Sequence, residues 1–281
     1  MFIVSALRPG VLVELGVYRG TSYCAFCQTV KKLGFGTTCH GVDSWEGDGQ
    51  AGQVSAVDLA RLKAHHDPLY GSFSELVQST FDGALDHFAD GSIDLLHIDG
   101  YHSYEAVSHD FESWLPKMSE RGVVLFHDVN VRQSGFGVWK YWEEVSAKYK
   151  HLTLLHGHGL GVLGVGSNFP EDVRELFDAD KNDLLTIRNF FHQLGARIDA
   201  IWQYHSQSEQ FAELKTYEAT VKKSWVMRAY RMLRFKGLAG FTRKIRPAPM
   251  KSGEKRDESS FNGLPPLTND RHNVDRGVET R

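Results

Sequence analysis

The 281-residue chain has no uninterrupted apolar run near the roughly 18–20 residues that cross a bilayer, so no transmembrane helix is expected. Its first six residues are too few for the apolar core of a secretory leader, and Arg8-Pro9 interrupts them. Cysteine is scarce and odd in number, three in all, which argues against a disulfide framework. A reduced, cytoplasmic setting is therefore the expectation. An excess of one charge is also missing. Lys+Arg number 32 against 35 Asp+Glu, a formal charge of -3, so the whole chain offers no electrostatic case for nucleic acid. No internal repeat is visible. What the chain does have is 41% hydrophobic residues, enough for a sizeable core.

Short β-rich runs alternate with amphipathic stretches over residues 1–170, which predicts an α/β fold with a parallel sheet and helices on both faces. Strands are expected at 11–15, 38–42, 75–78, 93–98 and 123–126. Helices are expected at 20–33, 54–65, 81–88, 104–115 and 137–149. Val11-Leu12-Val13 and Val123-Val124-Leu125-Phe126 are continuously apolar, as suits central strands covered on both sides. Two further β-like runs, 151–155 and 160–165, flank His156-Gly157-His158-Gly159 and read as a hairpin at the sheet edge. Residues 171–220 read as a helical extension opening after Pro170. Residues 221–281 read as a basic linker and disordered tail. On a helical wheel the charges of 221–246 fall nearly all round, so a flexible linker is the reading, with weak membrane-surface contact as its alternative.

The strongest motif is Val13-Glu14-Leu15-Gly16-Val17-Tyr18-Arg19-Gly20-Thr21-Ser22. A strand ends in an acid, and glycines then turn the chain into a helix. Gly16 allows backbone conformations closed to other residues and lets a ligand approach the main chain. Gly20 lets the helix start close to the sheet, and Ser22 lies in its first turn among free N–H groups. Glu14 argues against a pyrophosphate and for a ligand with a cationic amine. Asp43, closing the next strand, is placed to accept hydrogen bonds from both hydroxyls of a ribose. An amine plus a ribose points to S-adenosylmethionine. A nicotinamide dinucleotide fits less well, because Gly16-x-x-x-Gly20 lacks the middle glycine. The later run Gly159-Leu160-Gly161-Val162-Leu163-Gly164 matches the dinucleotide pattern formally but opens no helix.

A second constellation joins Asp99 and His102, after one strand, to His127 and Asp128, after the next. If the two strands are neighbours, about 4.8 Å apart, these side chains converge where open α/β sheets bind ligands. Carboxylates and imidazoles there suit a divalent cation or a general base. Each has a plainer reading: Asp99 as a helix cap, His127 and Asp128 as loop anchors, His102 as a surface histidine. His97, mid-strand, reads as core, as do Cys24, Cys27, Cys39 and the aromatic group Trp139, Tyr141 and Trp142; His156 and His158 read as turn residues.

Together, residues 13–22, 43–48, 92–107 and 114–131 resemble the class I S-adenosylmethionine-dependent methyltransferases, most of all the small bacterial domains found beside or fused to glycosyltransferases. The likeness runs from about Pro9 to His205. It implies a Rossmann-like, seven-stranded, mostly parallel sheet with an antiparallel last strand. It implies cofactor contacts at Glu14, Gly16, Gly20, Ser22 and Asp43, and Tyr18 and Ser79 complete the expected set. More distant relatives, the metal-dependent O-methyltransferases of catechol and sugar type, imply magnesium or manganese ligands at Asp99, His127 and Asp128 and a base at or near His102. His127 departs from them, standing where they carry a carboxylate, which softens the site. A second departure is the short amino end, since relatives carry a helix there that helps cover the cofactor.

The expected activity is O-methylation of a sugar, a glycan or another small hydroxylated acceptor, with Asp99, His102 and His127 as catalytic residues. The alternative is a non-catalytic module of the same fold that docks partners in a glycosyltransferase system. Acceptor choice is assigned to the loops 45–54 and 132–136.

Overall fold

The computed structural model describes residues 2–47, 56–133 and 135–223. The expected tail from 224 onward, most of the loop 45–54 and Ser134 lie outside the described residues. The chain divides into two units, 1–205 and 206–281. In chain order the elements are α1 (Phe2–Leu7), β1 (Val11–Leu15), α2 (Thr21–Leu33), β2 (Thr38–Asp43), α3 (Ala56–Tyr70), β3 (Ser74–Gln78), α4 (Phe81–Ala84), β4 (Ile93–Ile98), α5 (Tyr104–Trp114), β5 (Met118–His127), α6 (Val138–Ser146), β6 (Lys150–Leu154), β7 (Leu160–Gly164), α7 (Glu171–Phe177) and α8 (Lys181–Lys223). Among the described residues no helix is long and apolar enough to cross a membrane.

Seven strands form one sheet in the order β3-β2-β1-β4-β5-β7-β6. The first five are parallel, and β7 runs antiparallel to both β5 and β6, as a mostly parallel sheet with an antiparallel last strand requires. Alternation along the central strands explains why both faces are apolar. Leu12, Leu95, Val123 and Leu125 join α1, α2, α3 and α7 in one core. Val13, Leu15, Leu96, Ile98, Val124 and Phe126 join α5 and α6 in the other. A fully buried leucine of this kind contributes about 1.5–3 kcal/mol relative to exposure.

Several elements differ from expectation. β5 is longer than 123–126 because its pairing with β4 jumps from Met118 opposite Ile93 to Val123 opposite Leu95, so residues 119–122 bulge out. α4 stops at Ala84, and residues 85–87 tighten into a 3-10 turn. Residues 2–7, read from sequence as too few for the apolar core of a leader and as part of a short amino end, form α1 and pack on α2 and α7. Tyr141 and Trp142 are core as expected, but Trp139 is half-buried at its edge with the Arg132 guanidinium 4.0 Å above its ring.

Candidate active site

A cleft of about 490 Å³ opens at the carboxyl ends of β1 and β4, the point where strand order reverses. Register brings its parts level. Leu15 pairs with Val42 on one side and Ile98 on the other, and Ile98 pairs with Phe126. The residues that follow, Gly16, Asp43, Asp99 and His127, therefore gather along one edge of the sheet.

The turn after β1 is held open by two close approaches. Gly16 has φ of 91°, and a β-carbon there would overlap the Asp99 carbonyl. Gly20, at φ of 81°, caps α2, and its β-carbon would strike Leu62 of α3. Between them Tyr18 adopts φ of 50°, and Trp45, after β2, adopts 53°. Asp43 ties these residues together. Its Oδ2 accepts the Tyr18 N–H at 2.8 Å and its Oδ1 accepts the Trp45 N–H at 2.7 Å. The Trp45 indole N–H donates to the Tyr18 carbonyl at 2.9 Å. A carboxylate offers about four acceptor positions, so Asp43 keeps capacity for two hydroxyls. Tyr18, Ser22, Asp43 and Ser79 all line the cleft.

Glu14 is placed differently. It is completely buried and does not reach the cleft wall, where Ser22 stands instead. The Ser22 hydroxyl donates to Glu14 Oε1, and Oε2 has no hydrogen-bond partner. Opposite Glu14 in the sheet is His97, whose Nδ1 lies 3.5 Å from Oε1 without hydrogen-bond alignment.

At the far end of the cleft, one ligand atom from each of Asp99, His102, His127 and Asp128 lies within 4.8 Å of the others. His102 Nε2 is 2.9 Å from Asp128 Oδ2 and 3.5 Å from Asp99 Oδ1. His127 Nδ1 is 3.2 Å from Asp99 Oδ1 and 3.0 Å from Asp128 Oδ1. The His102 ring stacks on Phe136 at 4.8 Å, and its carbonyl accepts the Gly137 N–H at 2.7 Å. Asp128 itself is held at φ of 61°, a left-handed conformation uncommon outside glycine. Asp99 does not cap α5, because Ser103 takes that role by accepting the Ala106 N–H at 3.1 Å.

Burial disfavours every charge in this quartet, yet mutual pairing outweighs it. Close pairing with His102 and His127 holds Asp99 and Asp128 well below the usual carboxylate range. Asp128 and Asp99 in turn raise His102 to about 9 and His127 to about 10 against the pull of burial. Alone, the quartet is two imidazolium ions facing two carboxylates. The donor set also fits a cation. His127 Nδ1 and Asp128 Oδ1 are both buried, lie 3.0 Å apart and are not aligned to hydrogen-bond each other. Two nitrogens and two oxygens suit a divalent ion that tolerates imidazole, as manganese does more readily than magnesium, which prefers oxygen throughout.

Sequence reasoning passed over two histidines here. His158, read as a turn residue, places Nδ1 3.2 Å from Asp128 Oδ1 while 72% of its side chain remains exposed. His97, read as core, is buried, but its ring lies 6.1 Å from that of His127. Alternation was the available signal, since Leu95, His97, Leu125 and His127 fall on one face. Cys27 and Cys39 are buried as expected, and the glycine run 159–164 is mostly the strand β7.

Residues 13–129 match the model of a methyltransferase domain family. An uncharacterized protein of Sinorhizobium fredii, y4gI, is 47% identical over 176 residues, 63% of this chain. The chain spans 19% of the length of that relative. Among solved structures, the SAH-bound methyltransferase PaMTH1 of Podospora anserina aligns with a TM-score of 0.45 and 16% identity, over 58% of this chain and 74% of its own. A methyltransferase from Geobacter sulfurreducens aligns with a TM-score of 0.44 and 13% identity, over 58% and 74%. In this family match, as in the sheet order and the glycine turn after β1, residues 13–129 of this chain are similar to a methyltransferase domain.

Proposed function

We propose that the chain transfers the methyl group of S-adenosylmethionine to a hydroxyl oxygen of a small acceptor, a sugar or glycan hydroxyl being the class its sequence points to. One observation carries this reading: Asp99 and His102 line the cofactor cleft and also belong to the carboxylate–imidazole quartet, so a methyl group and a hydroxyl can meet beside them. The acceptor oxygen attacks the sulfonium methyl. An O–C bond forms as the C–S bond breaks, and its electron pair stays on sulfur in S-adenosylhomocysteine. The sulfonium already activates the methyl, so the protein mainly aligns the two partners and handles one proton.

Ser22, braced by Glu14, faces the cofactor's amine, and Asp43 faces its ribose. Asp99 and His102, the quartet residues that line the cleft, are the candidates to take the hydroxyl proton. His102 holds its own proton at neutral pH in the isolated quartet and becomes a base when that proton is displaced. Asp99, His102, His127 and Asp128 would hold a divalent cation, which when bound lowers the pKa of a hydroxyl and competes with protons for the imidazoles.

Calorimetric titration with S-adenosylhomocysteine tests the cofactor half, and saturable binding is expected. Labelled S-adenosylmethionine offered to glycan extracts tests the rest, with transfer lost in Asp99→Asn. Binding without transfer to any acceptor would favour the non-catalytic docking module.

A further inference from the structure

A second cavity, about 360 Å³, lies on the α2 face of the sheet. Its walls are mostly apolar, with Phe2 of α1, Phe26 of α2, Leu154 of β6, Leu160 and Val162 of β7 and Phe191 of α8, and its polar residues are Ser22, His97, His127 and His156. Phe2 and Phe191 meet edge to face, 5.6 Å between ring centres. Among its few polar residues, Ser22 also lines the cofactor cleft and His127 belongs to the quartet. The two cavities thus adjoin, with the quartet beside their junction.

The polar residues at this end follow from alternation. Leu12, Leu95 and Leu125 face α2 as part of an apolar core, but two residues on, Glu14, His97 and His127 replace that pattern. His97 is 3% exposed, lines the cavity, and its Nδ1 has no hydrogen-bond partner. A polar group buried in a mostly apolar wall is costly unless something completes it. The cavity falls within the size range of small-molecule pockets, which pair apolar walls with a few placed polar groups.

We infer that the acceptor is amphipathic: it carries an aromatic or short aliphatic arm next to the hydroxyl, and the arm occupies this cavity while the hydroxyl stays at Asp99 and His127. The inference rests on the methyltransferase reading and narrows its substrate. A bare sugar presents hydroxyls on every side, and these walls would leave most of them unpaired. A sugar bearing an aryl or alkyl aglycone, or a phenol, matches apolar walls that turn polar at one end.

The test uses the full chain with S-adenosylhomocysteine present. Two matched pairs, methyl and phenyl β-D-glucopyranoside, and catechol and 4-propylcatechol, are titrated by calorimetry. In at least one pair the member with the larger arm is expected to bind tenfold or more tightly. Its addition should shift the methyl resonances of Leu154 and Val162. Ala25→Trp, at an exposed position of α2 on the cavity wall, should erase the difference and leave S-adenosylhomocysteine affinity unchanged. Equal affinities within both pairs, unmoved Leu154 and Val162 methyls, or a preference that survives Ala25→Trp would overturn the inference alone. Failure of the parent chain to bind S-adenosylhomocysteine would overturn the transferase reading and the acceptor role with it.

Discussion

Gly16 and Asp99 touch through their backbones: the glycine of the cofactor turn packs so closely on the Asp99 carbonyl that no β-carbon fits between them. The Asp99 N–H also donates to the Leu15 carbonyl at 2.9 Å. The cofactor turn and the quartet's central carboxylate are therefore positioned by one contact. Gly16→Ala must move one of them, and its φ of 91° adds strain to the clash. The expected result is a loss of about 2 kcal/mol or more in stability together with weaker S-adenosylhomocysteine binding. A folded Gly16→Ala protein with parental affinity would show that the contact does not set the cleft.

The quartet makes a prediction about metal preference. A ligand at a hundred times its Kd stabilises the folded state by about 2.7 kcal/mol. For a unit of this size that is roughly 5–10 °C in Tm. Manganese is expected to produce such a rise and magnesium much less, because two of the four donors are imidazoles. His127→Asp should narrow or reverse the gap. Thermal scans after EDTA dialysis, with each ion added back, measure both effects. No response to either ion would mean that the quartet works as ion pairs.

Much of this arrangement was legible in the chain. Unbroken apolar runs marked the central strands, Gly16 and Gly20 marked the turn, and acids after successive strands marked the edge where ligands bind. The rest depends on contacts that sequence spacing does not encode. Glu14, read as a cofactor contact near the end of β1, lies buried behind Ser22, a placement within the strand that spacing alone does not reveal. Ser119 to Gly122 looked like a loop because a bulge hides their place in β5. The apolar cavity could not be read at all, since Phe2, Phe26, Leu154 and Phe191 come from four distant stretches.

Asp110 supplies a pH dependence away from the quartet. Burial raises its carboxyl to about 7, with the His109 charge opposing and the Asp82 charge adding. The folded state therefore holds this proton more tightly than the unfolded chain, where the group titrates near 3.8. Its contribution is most favourable below about pH 4, declines by about 1.4 kcal/mol per unit as pH rises toward 7, and is flat above that. Asp110→Asn should match the parent near pH 4 and exceed it in stability at pH 8. Urea denaturation at both values is the measurement, and a mutational difference independent of pH would contradict the assignment.

The final prediction concerns how Glu14 acts on the cofactor. Its carboxylate is sealed from the cleft, and its one aligned hydrogen bond among the described residues comes from Ser22, which does face the cleft. If the acid works by fixing the serine hydroxyl and lending it negative potential, the two residues form a unit. Ser22→Ala leaves a buried carboxylate without that donor, so a stability loss of about 1–3 kcal/mol is expected. Cofactor affinity should fall about as far in Ser22→Ala as in Glu14→Gln. The double substitution should cost little more than either alone, because residues in one hydrogen-bonded pair do not act additively. Calorimetry with S-adenosylhomocysteine across the four proteins completes the cycle. Losses that simply add would mean that Glu14 reaches the amine by a route of its own, through rearrangement of the turn between Gly16 and Gly20.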